Sequence, residues 1–167
     1  DSTTQAHYVP NETVEDGGVW RLCLDVGAGL ALAAIKDLRV TLVWTDPVPS
    51  YQSFRRLVNN LDLRVQDSKG NLYLGNQFEQ RDEINGRYPV SDDLNNVEQI
   101  HLSSDRLVPG MHLIEVVGTD LGIGPQNFSL VISGSVSPRA DALCTIESGC
   151  PYNCSGHGQC VEFACEC

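Results

Sequence analysis

Three short segments concentrate carboxylate and amide side chains next to hydrophobic strand patterns. They lie at residues 44–46, 59–62 and 92–99. Strand interiors disfavour Asp and Asn, so three such clusters predict one polar site at the ends of neighbouring strands. Carboxylate and amide oxygens are the hard ligands that calcium takes, six to eight at a time in flexible geometry.

Strand alternation points two of the carboxylates toward the apolar side of their strands. Asp46 shares a face with Leu42 and Trp44, and Glu98 shares a face with Ile100. A buried ionised carboxylate is costly unless it is paired or bound to a metal. We therefore predict a structural calcium site, whose candidate ligands are Asp46, Asn60, Asp62, Asp92, Asn95 and Glu98.

A competing interpretation gives the same side chains a purely structural role. In that case they cap turns and form ion pairs with Arg55, Arg56 or Arg64. The spacing does not match the EF-hand loop, so the sequence leaves both interpretations open.

The elements that must position these side chains are short strands. Alternation or apolar runs predict strands at residues 20–26, 38–45, 57–65, 72–74, 97–102, 111–117 and 127–133. Residues 30–35 fit either a short strand or a helical turn, and residues 75–96 lack periodicity and predict a long loop. Short strands with regular turns and no long amphipathic helix predict an all-β fold, an antiparallel jelly-roll-like β-sandwich.

Composition divides the chain and narrows its partners. We expect a polar lead at 1–17, the sandwich at 18–135, a linker at 136–143 and a cysteine-rich module at 144–167. Eleven basic and 22 acidic residues give a net charge of −11. This charge argues against nucleic acid as a partner, and no apolar run is long enough for membrane insertion.

Cysteines and glycosylation sequons indicate an oxidising compartment. Six of the seven cysteines fall within residues 144–167, which is typical of a disulfide-rich module. Acceptor sequons begin at Asn11, Asn127 and Asn153. We predict a secreted protein that is extracellular or at the cell surface, while a zinc site in a reducing compartment is the alternative for the cysteines.

Several motifs in a fixed order resemble a known domain family. They are LRVTLVWTD at 38–46, LVNNLDL at 57–63, Gly75-Asn76, Asp92 with NNVEQ at 95–99, and GPQNF at 124–128. Over residues 18–135 this order resembles the C-terminal β-sandwich domain of subtilisin-like serine proteases. The resemblance implies a jelly-roll-like accessory domain packed on a catalytic domain of the same parent chain, sometimes with structural calcium. The family usually carries Asp where this chain has Asn60, which removes one ligand charge.

The segment itself is predicted to be non-catalytic. A subtilisin-like site needs Asp, His and Ser from separate segments, and no serine here lies in a nucleophile-elbow pattern. The four histidines, which lie outside any catalytic-type neighbourhood, are His7, His101, His112 and His157.

The C-terminal cysteines resemble an incomplete EGF-like module. Their spacing is Cys150-x3-Cys154-x5-Cys160-x4-Cys165-x-Cys167, with a Ser-Gly-His-Gly turn at 155–158. The resemblance implies disulfides Cys150–Cys160 and Cys154–Cys165.

Two further cysteines leave a choice of pairing. Because the first and last strands of a sandwich often lie close together, we expect Cys23–Cys144, a closure contributing roughly 2–5 kcal/mol. The alternative is Cys144–Cys167 with Cys23 free.

Three functional classes follow from these observations. The first is a non-catalytic C-terminal accessory region of a secreted subtilisin-like serine protease, which stabilises the catalytic domain or contacts substrates. The second is a structural or adhesive component that contacts neighbouring subunits of an extracellular assembly. The third is a carbohydrate-binding sandwich using Trp20, Trp44 and Tyr51, although alternation places both tryptophans on core faces.

Overall fold

The computed structural model describes residues 5–49, 57–77, 91–139, 159–161 and 164–166. The strands are β1 Gln5–Val14, β2 Val19–Val26, β3 Leu38–Trp44, β4 Asn59–Gln66, β5 Leu72–Leu74, β6 Val97–Leu102, β7 Gly110–Leu121, β8 Gln126–Gly134, β9 Val136–Arg139, β10 Gln159–Val161 and β11 Ala164–Glu166. The segment that fitted either a strand or a helical turn forms one 3-10 turn, Leu32–Ala34. No helix in the described ranges has the length and apolar character needed to cross a bilayer.

Two antiparallel sheets form a sandwich. One has the strand order β1-β8-β3-β6, and the other has the order β5-β4-β7-β2-β9. From β1 to β4, and again from β5 to β9, each strand lies in the opposite sheet from the one before it. This alternation confirms the predicted all-β, antiparallel sandwich and gives it the connectivity of a jelly roll.

Alternate residues of the strands fill the space between the sheets. On β3 the buried residues are Leu38, Val40, Leu42 and Trp44, with their neighbours turned outward. An edge-to-face contact joins Trp20 of one sheet to Phe128 of the other, with ring centroids 5.5 Å apart. Each fully buried large side chain contributes about 1.5–3 kcal/mol, so the period-two pattern both builds the strands and holds the sheets together.

Two segments predicted to be irregular are strands. The polar lead contains β1, which pairs with β8 along the edge of its sheet, and only Val14 of this strand is buried. Residues 136–139 of the predicted linker form β9, which pairs with β2. Backbone pairing to β8 and β2 holds these two edge strands in place. Their own sequences therefore show little alternation of apolar and polar side chains.

Only some of the cysteines in the predicted disulfides lie within the described residues. Cys23 is buried in β2. It lies opposite Arg139 in the β2–β9 ladder, five positions before Cys144. In the tail, β10 and β11 form a hairpin with Cys160 opposite Cys165. The predicted pairings Cys23–Cys144, Cys150–Cys160 and Cys154–Cys165 stay predictions.

Candidate functional site

The hydrogen bonds of the described residues divide the six predicted calcium ligands into three groups. Asp46 belongs to a buried network around Asn59, and Asp92 and Asn95 belong to a turn before β6. The remaining three are Asn60 and Asp62 of β4 and Glu98 of β6, which have in common a buried oxygen without a partner among the described residues. Each group has its own chemistry.

The first group, the amide hub, consists of Asp46, Asn59 and Gln126. Asn59 is fully buried; its Nδ2 donates to Ile123 O at 2.6 Å and to Gln126 Oε1 at 2.7 Å. Its Oδ1 accepts from Ile123 N at 3.0 Å. Both Asp46 oxygens accept backbone N–H groups, from Val58 and Asn59, at 2.9 and 2.8 Å. Asp46 is thus fully engaged as a cap between β3 and β4.

The amide hub also fixes a tryptophan and the loop before β8. Trp44 Nε1 donates to Asn59 O at 3.0 Å, and Gln126 Nε2 donates to Thr45 O and to Asn127 O. Each side-chain polar atom of Asn59 and Gln126 therefore has a partner. A complete buried network of this kind specifies one arrangement of the chain, so this group is structural.

Asp92 organises the turn that leads into β6. Its Oδ1 accepts from Leu94 N and Asn95 N at 2.9 and 3.3 Å, and its Oδ2 accepts from the amides of Asn76 and Asn95 at 2.5 and 2.7 Å. These bonds hold the pKa of Asp92 below its usual range, against the opposing effect of burial. Asp92 and Asn95 thus follow the capping interpretation.

Asn76 covers the open edge of β6. It adopts a left-handed φ of 58°, which Asn tolerates better than most residues. Its Nδ2 donates to Val97 O at 2.9 Å, and its Oδ1 accepts from Gln99 N at 3.0 Å. The side chain therefore satisfies edge groups that a further strand would have satisfied, and it ties the end of β5 to the opposite sheet.

The third group, the carboxylate cluster, consists of Asn60, Asp62, Arg64 and Glu98. Asp62 Oδ2 accepts from the Thr119 hydroxyl at 2.6 Å and lies 3.5 Å from Arg64 Nη2. Only 1% of Asp62 and 1% of Glu98 is exposed. The prediction that Glu98 points inward is therefore confirmed.

Glu98 replaces a missing strand neighbour of β4. The β4–β5 ladder ends at the pair Arg64 and Leu74, so β5 does not reach Leu63. Glu98 Oε2 accepts from Leu63 N at 2.6 Å, and Gly75 N donates to Leu63 O at 2.9 Å. A Cβ on Gly75 would collide with Glu98 Oε2. Glycine at position 75 is therefore what admits the carboxylate to this place between the sheets.

The carboxylate cluster is short of partners. Within the described part of the chain, Asn60 Oδ1, Asp62 Oδ1, Glu98 Oε1 and Arg64 Nε are buried without a hydrogen bond. Burial, followed by the nearby charges of Asp62 and Asp92, raises the pKa of Glu98 to about 8. Glu98 consequently favours either a proton or an added cation.

The acidic residues of the carboxylate cluster do not form a complete metal site by themselves. Over the described ranges, no group of three or more His, Cys, Asp or Glu residues is placed to hold a metal ion. Three unpartnered oxygens, one of them from an amide, are donors of the type that calcium prefers. Calcium and its six candidate ligands stay predictions, and Asn60, Asp62 and Glu98 are the ones among them with an unpartnered buried oxygen in the described residues.

Three histidines lie in the described residues, and each ring contacts a backbone carbonyl or a carboxylate. His7 contacts Val136 O at 3.3 Å, and His101 contacts Asp37 Oδ2 at 3.0 Å. His112 is fully buried beside Gly110 O, and burial lowers its pKa. His157 and Tyr51 lie outside the described residues. The non-catalytic role of the segment stays a prediction.

The tryptophans do not offer a sugar platform. Trp44 is 3% exposed and bonded to Asn59 O, while Trp20 packs against the core and Phe128. A stacking platform requires an exposed ring face, so the described residues give the carbohydrate-binding interpretation no support from either indole.

Sequence signals existed for some of the residues that the site prediction omitted. Asn59 is in phase with Leu61 and Leu63, so alternation already places an amide on the core side of β4. Gln126 is in phase with Phe128 on β8 in the same way. The roles of Gly75 and Asn76 depend on contacts between sheets and have no such local signal.

The chain is similar to segments of three Dictyostelium discoideum proteins. It is 34% identical over 116 residues to Serine protease/ABC transporter B family protein tagA, covering 65% of this chain and 6% of that protein. It is 30% identical over 159 residues to tagD, which has the same description; this match covers 83% of this chain and 9% of tagD. It is 39% identical over 97 residues to tagB, and this match covers 56% of this chain and 5% of tagB. The chain thus spans less than a tenth of each relative, and no family profile matches it.

Proposed function

We propose that this chain is a non-catalytic accessory region of a subtilisin-like serine protease, joined to the catalytic domain in one parent protein. The observation that carries the proposal is similarity over most of the chain to proteins named Serine protease/ABC transporter B family protein. The ordered motifs that resemble subtilase C-terminal domains, and the antiparallel sandwich, support the same assignment.

The accessory role is mechanical. A buried network whose amides are all partnered, as in the amide hub, holds one arrangement, and such an element stabilises whatever packs against it. The amide hub joins the end of β3, the start of β4 and the approach to β8. We propose that this rigid unit buttresses the catalytic domain or positions substrates for it.

Active-site labelling of the native parent protein tests this proposal. The protein is captured from its source with an antibody against residues 5–139 and treated with a fluorophosphonate, which reacts with activated serines. We expect one labelled serine, located by peptide mapping outside this chain, and no labelling of the isolated chain. An unlabelled parent protein with further cysteine-rich repeats after Cys167 would instead favour the structural or adhesive class.

We also propose that the carboxylate cluster binds a structural calcium ion. Asn60, Asp62 and Glu98 each have a buried oxygen without a partner among the described residues, and the last two supply charge. Calcium takes at least six oxygens, so water or other parts of the parent protein complete the shell. The ion would offset the repulsion between two buried carboxylates and join the sheets.

Thermal unfolding with calcium and with chelator tests the ion. Glu98→Gln and Asp62→Asn are expected to remove the calcium-dependent rise in Tm. Asp46→Ala serves as the matched control, because both Asp46 oxygens are used by backbone N–H groups. It should lower Tm but keep the calcium-dependent rise. The same Tm in calcium and in chelator would overturn the calcium proposal.

A further inference from the structure

Two of the glycosylation sequons interlock on adjacent strands. Asn11-Glu12-Thr13 lies on β1, Asn127-Phe128-Ser129 lies on β8, and the register places Thr13 opposite Asn127. Thr13 Oγ1 donates to Asn127 Oδ1 at 2.9 Å, and Asn11 N donates to Ser129 Oγ at 3.3 Å. Each sequon thus contacts the other through its hydroxyl residue.

The two asparagine side chains are bonded to each other but are not equivalent. Asn127 Nδ2 donates to Asn11 Oδ1 at 3.2 Å, so both polar atoms of the Asn127 amide are engaged. Asn11 Nδ2 donates no hydrogen bond within the described residues. Asn11 is also exposed and has a left-handed φ of 53° at the irregular step between Val9 and Glu12, which lifts it from the ladder. The free amide nitrogen is therefore that of Asn11.

The same face of the four-stranded sheet carries an exposed apolar band. Tyr8 lies opposite Val131, and Val43 lies opposite Val97 and Ser129. Tyr8 is 66% exposed, and the three valines are 40–45% exposed. Neighbouring exposed apolar side chains of this kind offer a surface on which another apolar group can pack. Asn11 N donates to Ser129 Oγ, and Ser129 pairs across the strands with Val43, which in turn pairs with Val97. Asn11 therefore lies beside the apolar band.

We propose that Asn11 carries an N-linked oligosaccharide that covers this apolar band, with the Asn127 amide positioning the Asn11 side chain. In the transfer, Asn11 Nδ2 bonds to the anomeric carbon of a diphosphate-linked oligosaccharide donor. The diphosphate leaves with the electrons of the broken bond, and the amide nitrogen gives up one proton. Asn11 Oδ1 is unchanged and still accepts from Asn127. The apolar C–H faces of the sugars then pack on Tyr8 and the valines.

Peptide mapping of the full-length parent protein tests the site. Enzymatic deglycosylation in heavy-oxygen water converts a glycosylated Asn to Asp with a diagnostic mass increase. We expect the mass increase at Asn11 and not at Asn127. Thr13→Ala should abolish it, whereas the matched control Ser129→Ala, which destroys the other sequon, should retain it. An unmodified Asn11, or a glycan on Asn127 instead, would overturn the proposal.

Radical footprinting tests the coverage of the band. Tyr8 should be protected from oxidation in the glycosylated protein and should lose that protection after deglycosylation. Tyr73, which is half-buried against the core on the other sheet, is the internal control and should not change. Equal Tyr8 oxidation before and after deglycosylation would refute the packing of sugar on this face.

Discussion

The amide hub and the carboxylate cluster begin at consecutive residues of β4, and they differ in whether their polar groups have partners. Asn59 in the amide hub uses every side-chain donor and acceptor on described neighbours. Asn60, Asp62 and Glu98 each have a buried oxygen that none of the described residues satisfies. Two polar clusters that look alike in sequence therefore have opposite requirements.

The contrast separates polar residues that hold the fold from polar residues that need something added. Buried polar groups are hydrogen-bonded in nearly all native structures, and an unpaired one calls for a proton, a water or an ion. The amide hub needs none of these. The carboxylate cluster, where burial and two neighbouring charges raise the pKa of Glu98 to about 8, favours a proton or a cation.

Substitution of the two adjacent asparagines should give the largest difference. Asn59→Leu removes three side-chain hydrogen bonds, to Ile123 N, Ile123 O and the buried Gln126 Oε1, so at about 1 kcal/mol each the free energy of unfolding should fall by about 3 kcal/mol. Asn60→Leu is the matched control. In chelator it should change the free energy of unfolding by less than about 1 kcal/mol, since the buried Oδ1 of Asn60 already lacks a partner among the described residues. Urea unfolding measures both. Equal losses would erase the distinction between the clusters.

The dependence of stability on pH should come next. In the folded state the pKa of Glu98 is raised from 4.5 to about 8. The protonated side chain therefore contributes fully to the free energy of unfolding below pH 4.5, and this contribution is lost as pH rises toward 8. In chelator, Glu98→Gln should remove this part of the decline. At pH 8 the variant should exceed the unsubstituted chain by at least about 1 kcal/mol. Identical pH profiles for the two chains would contradict the assignment of the carboxylate cluster.

Gly75→Ala should have a smaller effect through the same carboxylate. The added Cβ would meet Glu98 Oε2 and Cβ, which forces Glu98 away from Leu63 N, and overpacking of this kind costs about 1–3 kcal/mol. Position 75 does not have a positive φ, so backbone strain adds nothing to the effect. Urea unfolding at pH 6 checks the loss. An unchanged free energy of unfolding would mean that the sheets can part at this point without cost.

Alternation predicted most of the sandwich because the core between two sheets demands it. It located seven of the nine sandwich strands, β2 to β8, and it pointed Glu98 inward. It missed β1 and β9, whose places depend on backbone pairing to β8 and β2. The predicted ligand set also includes side chains that the structure shows in capping roles. Asp46 accepts two backbone N–H groups, and Asp92 accepts two backbone N–H groups and two side-chain amides; no side-chain pattern reveals the backbone bonds.

The most direct test of the account is the thermal inactivation of peptidase activity in the full-length parent protein, compared between Asn59→Leu and Asn60→Leu. If the sandwich buttresses a catalytic domain, Asn59→Leu should shorten the half-life of activity at elevated temperature. Asn60→Leu, in chelator, should leave it close to that of the unsubstituted protein. A half-life that is the same for both variants, or a parent protein without peptidase activity, would contradict the proposed accessory role.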